Sequence, residues 1–316
     1  MISRLAHLCA LALVACGQPS GVTAAADSAS AARKSLPPQP PPAFPTDSSD
    51  AATDPCGGLT CRQFDSPEEA FTAIIDEQPR ILAIGETHAQ KGMENIPSVT
   101  ARFTTSMLPS LKDKASALVL ELWVNDGTCG KAKEKAVEQQ QKAVVKDQAK
   151  TDQNEFVTLG KRAKTLGIVP SIVHPTCDEL DKIQKAGDDG VFEMLTMLTS
   201  HMRDEATAAY KATAKTNPNE MVLTYGGAMH NDLAPKKGRE QWSFAKDLDD
   251  LSGHKYVQLD LVVPEFVGQN ESWKAMPWYN AFLKGAACDD ANRGRTKTIV
   301  YTTSPRAYTL VFPCSR

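Results

Sequence analysis

Short apolar runs recur along this 316-residue chain, and each stops at a glycine or an ionisable side chain. Residues 81–84, 117–120, 221–225 and 256–263 are almost continuously apolar, as strands buried on both faces of a parallel sheet are. Residues 168–173 form another such run, and Pro170 inside it predicts an edge position or a bulge. The runs at 298–302 and 308–312 flank Ser304-Pro305 and predict a closing hairpin. Helical patterns fill the intervals. Ser66-Pro67-Glu68-Glu69 predicts a helix start, with Ser66 as cap and Glu69 completing a capping box, running to about residue 77. Further helices are expected over 98–111, across most of 130–167 with its Lys, Gln and Glu on a solvated face, over 190–215 with Phe192, Leu195, Leu198 and Met202 at helical spacing, and over 273–283. The alternation predicts an α/β fold, a mainly parallel sheet flanked by helices with a C-terminal β-hairpin.

The chemistry sits where these runs stop. Ligands in open α/β sheets bind beyond the carboxyl ends of the strands. The first run ends in Gly85-Glu86-Thr87-His88, where Glu86 and His88 stand two apart and share a side if extended geometry continues. The second ends at Glu121, followed by Trp123, a pocket wall or core residue. The third leads into Gly227-Ala228-Met229-His230-Asn231. Two imidazoles and a carboxylate are a common ligand set for a catalytic divalent metal, so His88, Glu121 and His230 are candidate metal ligands. Glu86 is then a candidate general base or fourth ligand. Asn231 or Arg80 is a candidate for stabilising an oxyanion. His174, at the end of the run with Pro170, is a candidate for substrate contact. His201 reads as a partly exposed helix residue and His254 as a surface residue. The bland alternative is a set of strands ending in polar loops.

The motif set Gly85-Glu86-Thr87-His88, Glu121 within Leu-Glu-Leu-Trp, and Gly227-Ala228-Met229-His230 resembles the superfamily of ChaN-like haem-binding lipoproteins, TIKI and TraB proteins, and erythromycin esterase-like enzymes. The resemblance spans roughly residues 68–261 by order of elements. The first motif is most similar to the ChaN and esterase branches, and the doubled Gly-x-x-His to the TIKI and TraB branch. The resemblance implies hydrolysis of an ester or peptide bond, metal-assisted or with His88 as a direct base for water. The ChaN branch implies instead a haem- or iron-binding uptake protein without enzymatic activity. There is no CxxCH motif, so any haem would be bound non-covalently. A scaffold that has lost activity is the third class. No Gly-x-Ser-x-Gly elbow, P-loop or dinucleotide fingerprint occurs.

Composition adds a compartment. Residues 1–15 have a basic start at Arg4 and a short apolar stretch, ending in Leu13-Val14-Ala15-Cys16-Gly17, which resembles a lipobox. Cys16 is therefore the expected lipid-bearing first residue. The membrane becomes a partner through that lipid, and Gly17 favours an outer-membrane destination in the cell envelope. An ordinary secretory signal is the alternative. Residues 16–55, rich in Pro, Ala and Ser, read as a disordered tether, leaving 56–316 as the α/β domain. The formal charge of -3 gives no footprint for nucleic-acid binding. Six cysteines lie beyond Cys16, an even count that suggests disulfides in an exported chain, with free buried thiols as the alternative. Cys56 and Cys61 close a short loop. Cys129 and Cys177 each follow a strand end on one presumed rim, and Cys288 with Cys314 would tie the hairpin to the segment before it.

Overall fold

The protein is described here by a computed structural model, which describes residues 56–123, 128–131, 135, 137–138, 148–149, 152–289, 292 and 294–315. The lipobox, Cys16 and the tether lie outside the described residues, as does much of the helical region expected over 130–167.

The elements follow in chain order. Strand β1 (Thr60–Phe64) precedes helix α1 (Pro67–Ile75) and strand β2 (Ile81–Glu86). Helix α2 (Val99–Arg102) continues as a π-helical turn (Phe103–Met107) and a 3-10 turn (Leu108–Leu111), then leads into β3 (Ala115–Trp123). Next come α3 (Asp152–Thr165), β4 (Val169–Val173), α4 (Cys177–Lys185), α5 (Gly190–Thr216) and β5 (Met221–Gly227). The chain closes with α6 (Ala245–Leu251), β6 (Tyr256–Val262), α7 (Glu271–Lys274), α8 (Tyr279–Gly285), β7 (Thr298–Ser304) and β8 (Ala307–Val311).

The eight strands among the described residues make one sheet in the order β1-β7-β8-β6-β2-β5-β3-β4. The pairs from β8 through to β4 are parallel, while β7 runs antiparallel to both β8 and β1. The expected fold class and the terminal hairpin are both present. Pro170 lies on β4, an edge strand, where its missing N–H costs no ladder bond. Two apolar layers cover the sheet. Phe71, Phe103 and Phe156 pack on one face with Tyr225; Val119, Met194, Leu198 and Phe244 pack on the other. A smaller cluster joins Trp278 and Phe282 of the α8 region to Tyr301 of β7. Among the described residues no helix is long and apolar enough to cross a membrane.

Local chemistry explains the element ends. Ser66 Oγ accepts the Glu69 amide at 3.1 Å, as a helix cap should. The Glu69 carboxylate reaches back one residue further than a strict capping box, to the Asp65 amide at 3.0 Å. The helix expected over 273–283 is split into α7 and α8, with Pro277 between them restricting the residue before it. Three disulfides join Cys56–Cys61, Cys129–Cys177 and Cys288–Cys314, with Cα separations of 5.5, 5.1 and 5.7 Å. These are the pairs expected from their places along the chain.

Candidate functional site

Strands β2, β5 and β3 lie side by side in that order, so their carboxyl ends deliver Glu86, Gly227 and Glu121 to one rim. The glycines make that convergence possible. A Cβ on Gly226 would come to 2.6 Å from the Cβ of Glu121, so only glycine lets the Glu121 side chain lie across β5. A Cβ on Gly227 would sit 3.3 Å from His88 Nε2 and 3.5 Å from Glu121 Oε2. That small space therefore lies between the imidazole from β2 and the carboxylate from β3. A Cβ on Gly85 would be 2.7 Å from the Ala228 Cα, which explains the glycine that ends the first apolar run.

Glu86 is buried, and each of its oxygens is engaged. Oε1 meets His88 Nδ1 at 2.7 Å, the same-side approach that their spacing predicts. Oε2 accepts from the Tyr225 hydroxyl at 2.7 Å and from Thr100 Oγ1. Burial and the neighbouring Glu86 carboxylate push the Tyr225 phenol well above its ordinary range, so it remains a donor. His88 is held at Nδ1 and turns Nε2 toward the space over Gly227.

The second imidazole is held from a different layer. His230 Nδ1 lies 2.9 Å from both the Trp242 carbonyl and Thr199 Oγ1 of α5. A carbonyl can only accept, so Nδ1 carries a proton. His230 Nε2 faces Glu121 Oε1 at 3.5 Å, and Glu121 Oε2 accepts the Gly227 amide at 2.6 Å. Burial pushes the Glu121 carboxyl up, but His230, His88 and the Gly227 amide outweigh it and hold it down at about 2. For His230, burial favours the neutral ring, and the Glu121 carboxylate overrides it and raises the pKa. Carboxylate and ring thus favour each other's charged forms.

These four residues line one cavity of about 530 Å³. The rest of its wall is mostly apolar, including Trp123, Phe156, Leu195, Leu198 and Trp273. Trp123 is therefore both core and pocket wall.

Three sequence candidates stand elsewhere. Arg80 precedes β2 and stacks its guanidinium 5.5 Å from the Tyr210 ring, at the amino edge of the sheet. The length of β2, about 3.3 Å per residue, separates it from Glu86. Asn231 is buried and turned into the fold, its amide nitrogen donating to the Ala83 carbonyl at 3.2 Å, and it does not line the cavity. His174 is exposed beyond the edge strand β4, also outside the cavity. His201 pairs with Glu179 at 3.0 Å and His254 with Asp249 at 2.8 Å, on partly exposed and exposed sites as expected.

Sequence reasoning did not single out Thr100, Thr199 or Tyr225 as supports for the site. Tyr225 read as one more apolar strand residue. The signal available was its parity: on adjacent parallel strands, β5 pairs Tyr225 with Ile84 and Gly227 with Glu86, so Tyr225 sits one step below the site. Asp260 was also unassigned. It is buried beside Asn231 and Gln258, and burial pushes its carboxyl up to about 7.

The donor set has the orientation that metal ligands use, each imidazole fixed through Nδ1 by a carboxylate or carbonyl. Its spacing is wider. His88, Glu121 and His230 do not bring their ligand atoms within 4.8 Å of one another, whereas Asp249, Asp250 and His254 do. Ligands around a zinc-sized ion sit about 2.0–2.2 Å from it, which demands closer approach. The cause lies in the competing bonds: the Gly227 amide holds Glu121, and Glu86 pins His88. The second cluster is exposed in part and already neutralised by Arg306, 2.6 Å from Asp249.

No family model matches the chain, and no curated protein matches it. Among solved structures the chain is similar to the type III effector HopBA1, 14% identical over 66% of this chain and 88% of that one, with a TM-score of 0.35. A likeness at that level carries no argument about the site.

Proposed function

We propose that this chain is an exported hydrolase of ester or amide bonds in which His88, oriented by Glu86, is the base that activates water. The observation that carries this reading is the 2.7 Å contact between Glu86 Oε1 and His88 Nδ1, with Glu86 itself fixed by Tyr225 and Thr100. A buried carboxylate bound to Nδ1 holds that proton in place and leaves Nε2 basic, the logic of a base oriented by a third group. His88 and Gly227 both line the cavity, and the attacking water is proposed to lie there within reach of Nε2. Water loses a proton to Nε2 as its oxygen bonds to the carbonyl carbon. The negative charge that develops on the carbonyl oxygen is met by His230, whose charged form the neighbouring Glu121 carboxylate favours. When the carbon–oxygen or carbon–nitrogen bond breaks, Nε2 returns the proton to the leaving group. The products are a carboxylic acid and an alcohol or amine.

The resemblance to the esterase branch, on Gly85-Glu86-Thr87-His88, supports the same chemistry. No step is routed through a metal, because the donor spacing does not fit a closed ligand set. The haem reading has less support: among the described residues lining the cavity there is no Lys or Arg to meet propionate groups. The three disulfides support an oxidising compartment, in keeping with a lipid-anchored place in the cell envelope. The test is turnover of a panel of activated esters by the full-length protein, His88→Ala and Glu86→Gln. Both substitutions should lower kcat by roughly 10²–10⁴-fold, the usual contribution of a positioned general base. Turnover within threefold of wild type in His88→Ala would end the reading.

A further inference from the structure

We infer that the substrate of this site carries an uncharged, apolar acyl chain, held along α5; this rests on the hydrolase reading above. The cavity divides by chemistry. Its ionisable lining is Glu86, His88, Glu121 and His230, with Gln148 and Ser272 as further polar residues, and no Lys or Arg lines it among the described residues. Glu121 Oε2 accepts the Gly227 amide at 2.6 Å and Oε1 faces His230 Nε2 at 3.5 Å, so the imidazole nearest it is already engaged. A substrate with its own carboxylate or phosphate would lie beside the Glu86 and Glu121 carboxylates with no Lys or Arg among the described lining residues to pair with it, at a cost that grows as water is excluded.

Most of the rest of the wall is apolar. Met194, Leu195 and Leu198 project from successive turns of α5, and Trp123 and Trp273 add flat apolar area. The cavity of about 530 Å³ lies within the ordinary ~300–1,000 Å³ range of small-molecule sites, so it holds a chain rather than a single methyl group. The side of the scissile bond is set by Thr199. Its hydroxyl touches His230, and Leu198 of the same helix lines the cavity together with His230, so α5 brings its apolar wall beside the ring proposed to meet the carbonyl oxygen. His88, which returns the proton to the leaving group, comes instead from the end of β2. The group next to the α5 wall is therefore the one that stays on the carbonyl carbon. After hydrolysis it becomes a carboxylate beside Glu121, and the new repulsion favours release.

Two measurements on the full-length protein test this. The first compares p-nitrophenyl esters of acetate, butyrate, hexanoate and octanoate with acetates of increasingly long alcohols. The second follows tryptophan fluorescence, which Trp123 and Trp273 bring to the cavity wall, during titration with acetamide, octanamide and octanoate. We expect kcat/KM to rise about fourfold for each methylene added on the acyl side, the value of a buried CH₂, and to stay flat on the alcohol side. Octanamide should bind far more tightly than acetamide, and at least tenfold more tightly than octanoate at pH 7. Leu195→Lys should remove the dependence on chain length and Leu195→Met should retain it. If no ester is turned over but the amide preference holds, the hydrolase reading fails and the apolar occupant stands. If octanamide binds no better than acetamide, or acyl length leaves kcat/KM unchanged, the acyl-chain inference is wrong whatever the turnover.

Discussion

Replacing Gly227 by alanine would separate the chemistry of the site from its stability. Gly227 does not adopt a positive φ, so alanine meets no backbone strain there. The added methyl would lie 3.3 Å from His88 Nε2 and 3.5 Å from Glu121 Oε2, close enough to require shifts of only a few tenths of an ångström. The loss of glycine's freedom in the unfolded chain favours the variant by about 0.4–1 kcal/mol. The crowding works the other way, so the net change should stay within about 1 kcal/mol. That corresponds to a melting temperature within about 4 °C of wild type for a domain of this size. The effect on catalysis should be of another order. The methyl crowds Nε2 on the side of Gly227 and hinders the approach of the attacking water, which should remove most of the general-base contribution, roughly 10²–10⁴-fold. The assay is kcat on activated esters beside thermal unfolding by circular dichroism. The neighbouring Gly226→Ala serves as contrast, because its methyl would meet the Glu121 Cβ at 2.6 Å and cannot be accommodated by side-chain rotation. That variant should lose about 1–3 kcal/mol of stability through overpacking. A Gly227→Ala protein with kcat within threefold of wild type would refute the placement of the water.

Asp260 gives a prediction about pH. Burial raises its carboxyl to about 7, so between about pH 4 and pH 7 the folded state keeps a proton that the unfolded chain has lost. Stability therefore falls as pH rises through this window, by up to about 4 kcal/mol, and urea melts of Asp260→Asn should show a flatter profile; an unchanged slope would show that Asp260 is not the titrating group. The disulfides should differ in worth: Cys129 and Cys177 are 48 residues apart and Cys56 and Cys61 only 5, so the chain-entropy model gives about 4 against about 2 kcal/mol. Denaturant melts of Cys129→Ser/Cys177→Ser and Cys56→Ser/Cys61→Ser test that order, and equal losses would contradict it. Metal analysis of the purified full-length protein should return well under one equivalent, with turnover unaffected by chelator. One equivalent of metal that disappears in His88→Ala would restore the three-ligand set.

Much of the sheet was visible in the apolar runs because strands buried on both faces must be apolar throughout. The runs that became β2, β5 and β6 are buried along nearly their whole length. Strand β1 gave no such signal: Thr-Cys-Arg-Gln-Phe is mostly wet at the sheet edge, and its pairing with β7 is a tertiary event. Strand β3 runs on through Glu121 to Trp123, so Glu121 belongs to the strand itself; its side chain is tolerated there only because β5 offers glycine opposite. The four rim residues were legible from their place after apolar runs. Their supports were not, since Thr199 and Thr100 lie on helices whose sequence carries no mark of what they will face. Arg80 and Asn231 attracted attention by proximity in sequence to the motifs, but one lies at the wrong end of a strand and the other points into the sheet. The capping box Thr176-Cys177-Asp178-Glu179 was present in the sequence and would have placed helix α4.

The strand order also sets a timetable for assembly. Strand β2, which carries Glu86, has β5 and β6 as its only sheet neighbours, and both lie more than a hundred residues further along the chain. Strand β1 finds its partner only at β7, near the other end of the domain. A chain folding from its N-terminus must hold an apolar strand without partners until the segment around Tyr225 arrives. Loop-closure entropy for such distant pairings makes the search slow. Fragments ending before residue 221 would keep the edge of β2 open and should aggregate rather than fold. The insertion of β5 between β2 and β3 closes that open edge, and Gly227 and His230, which complete the site, arrive with it.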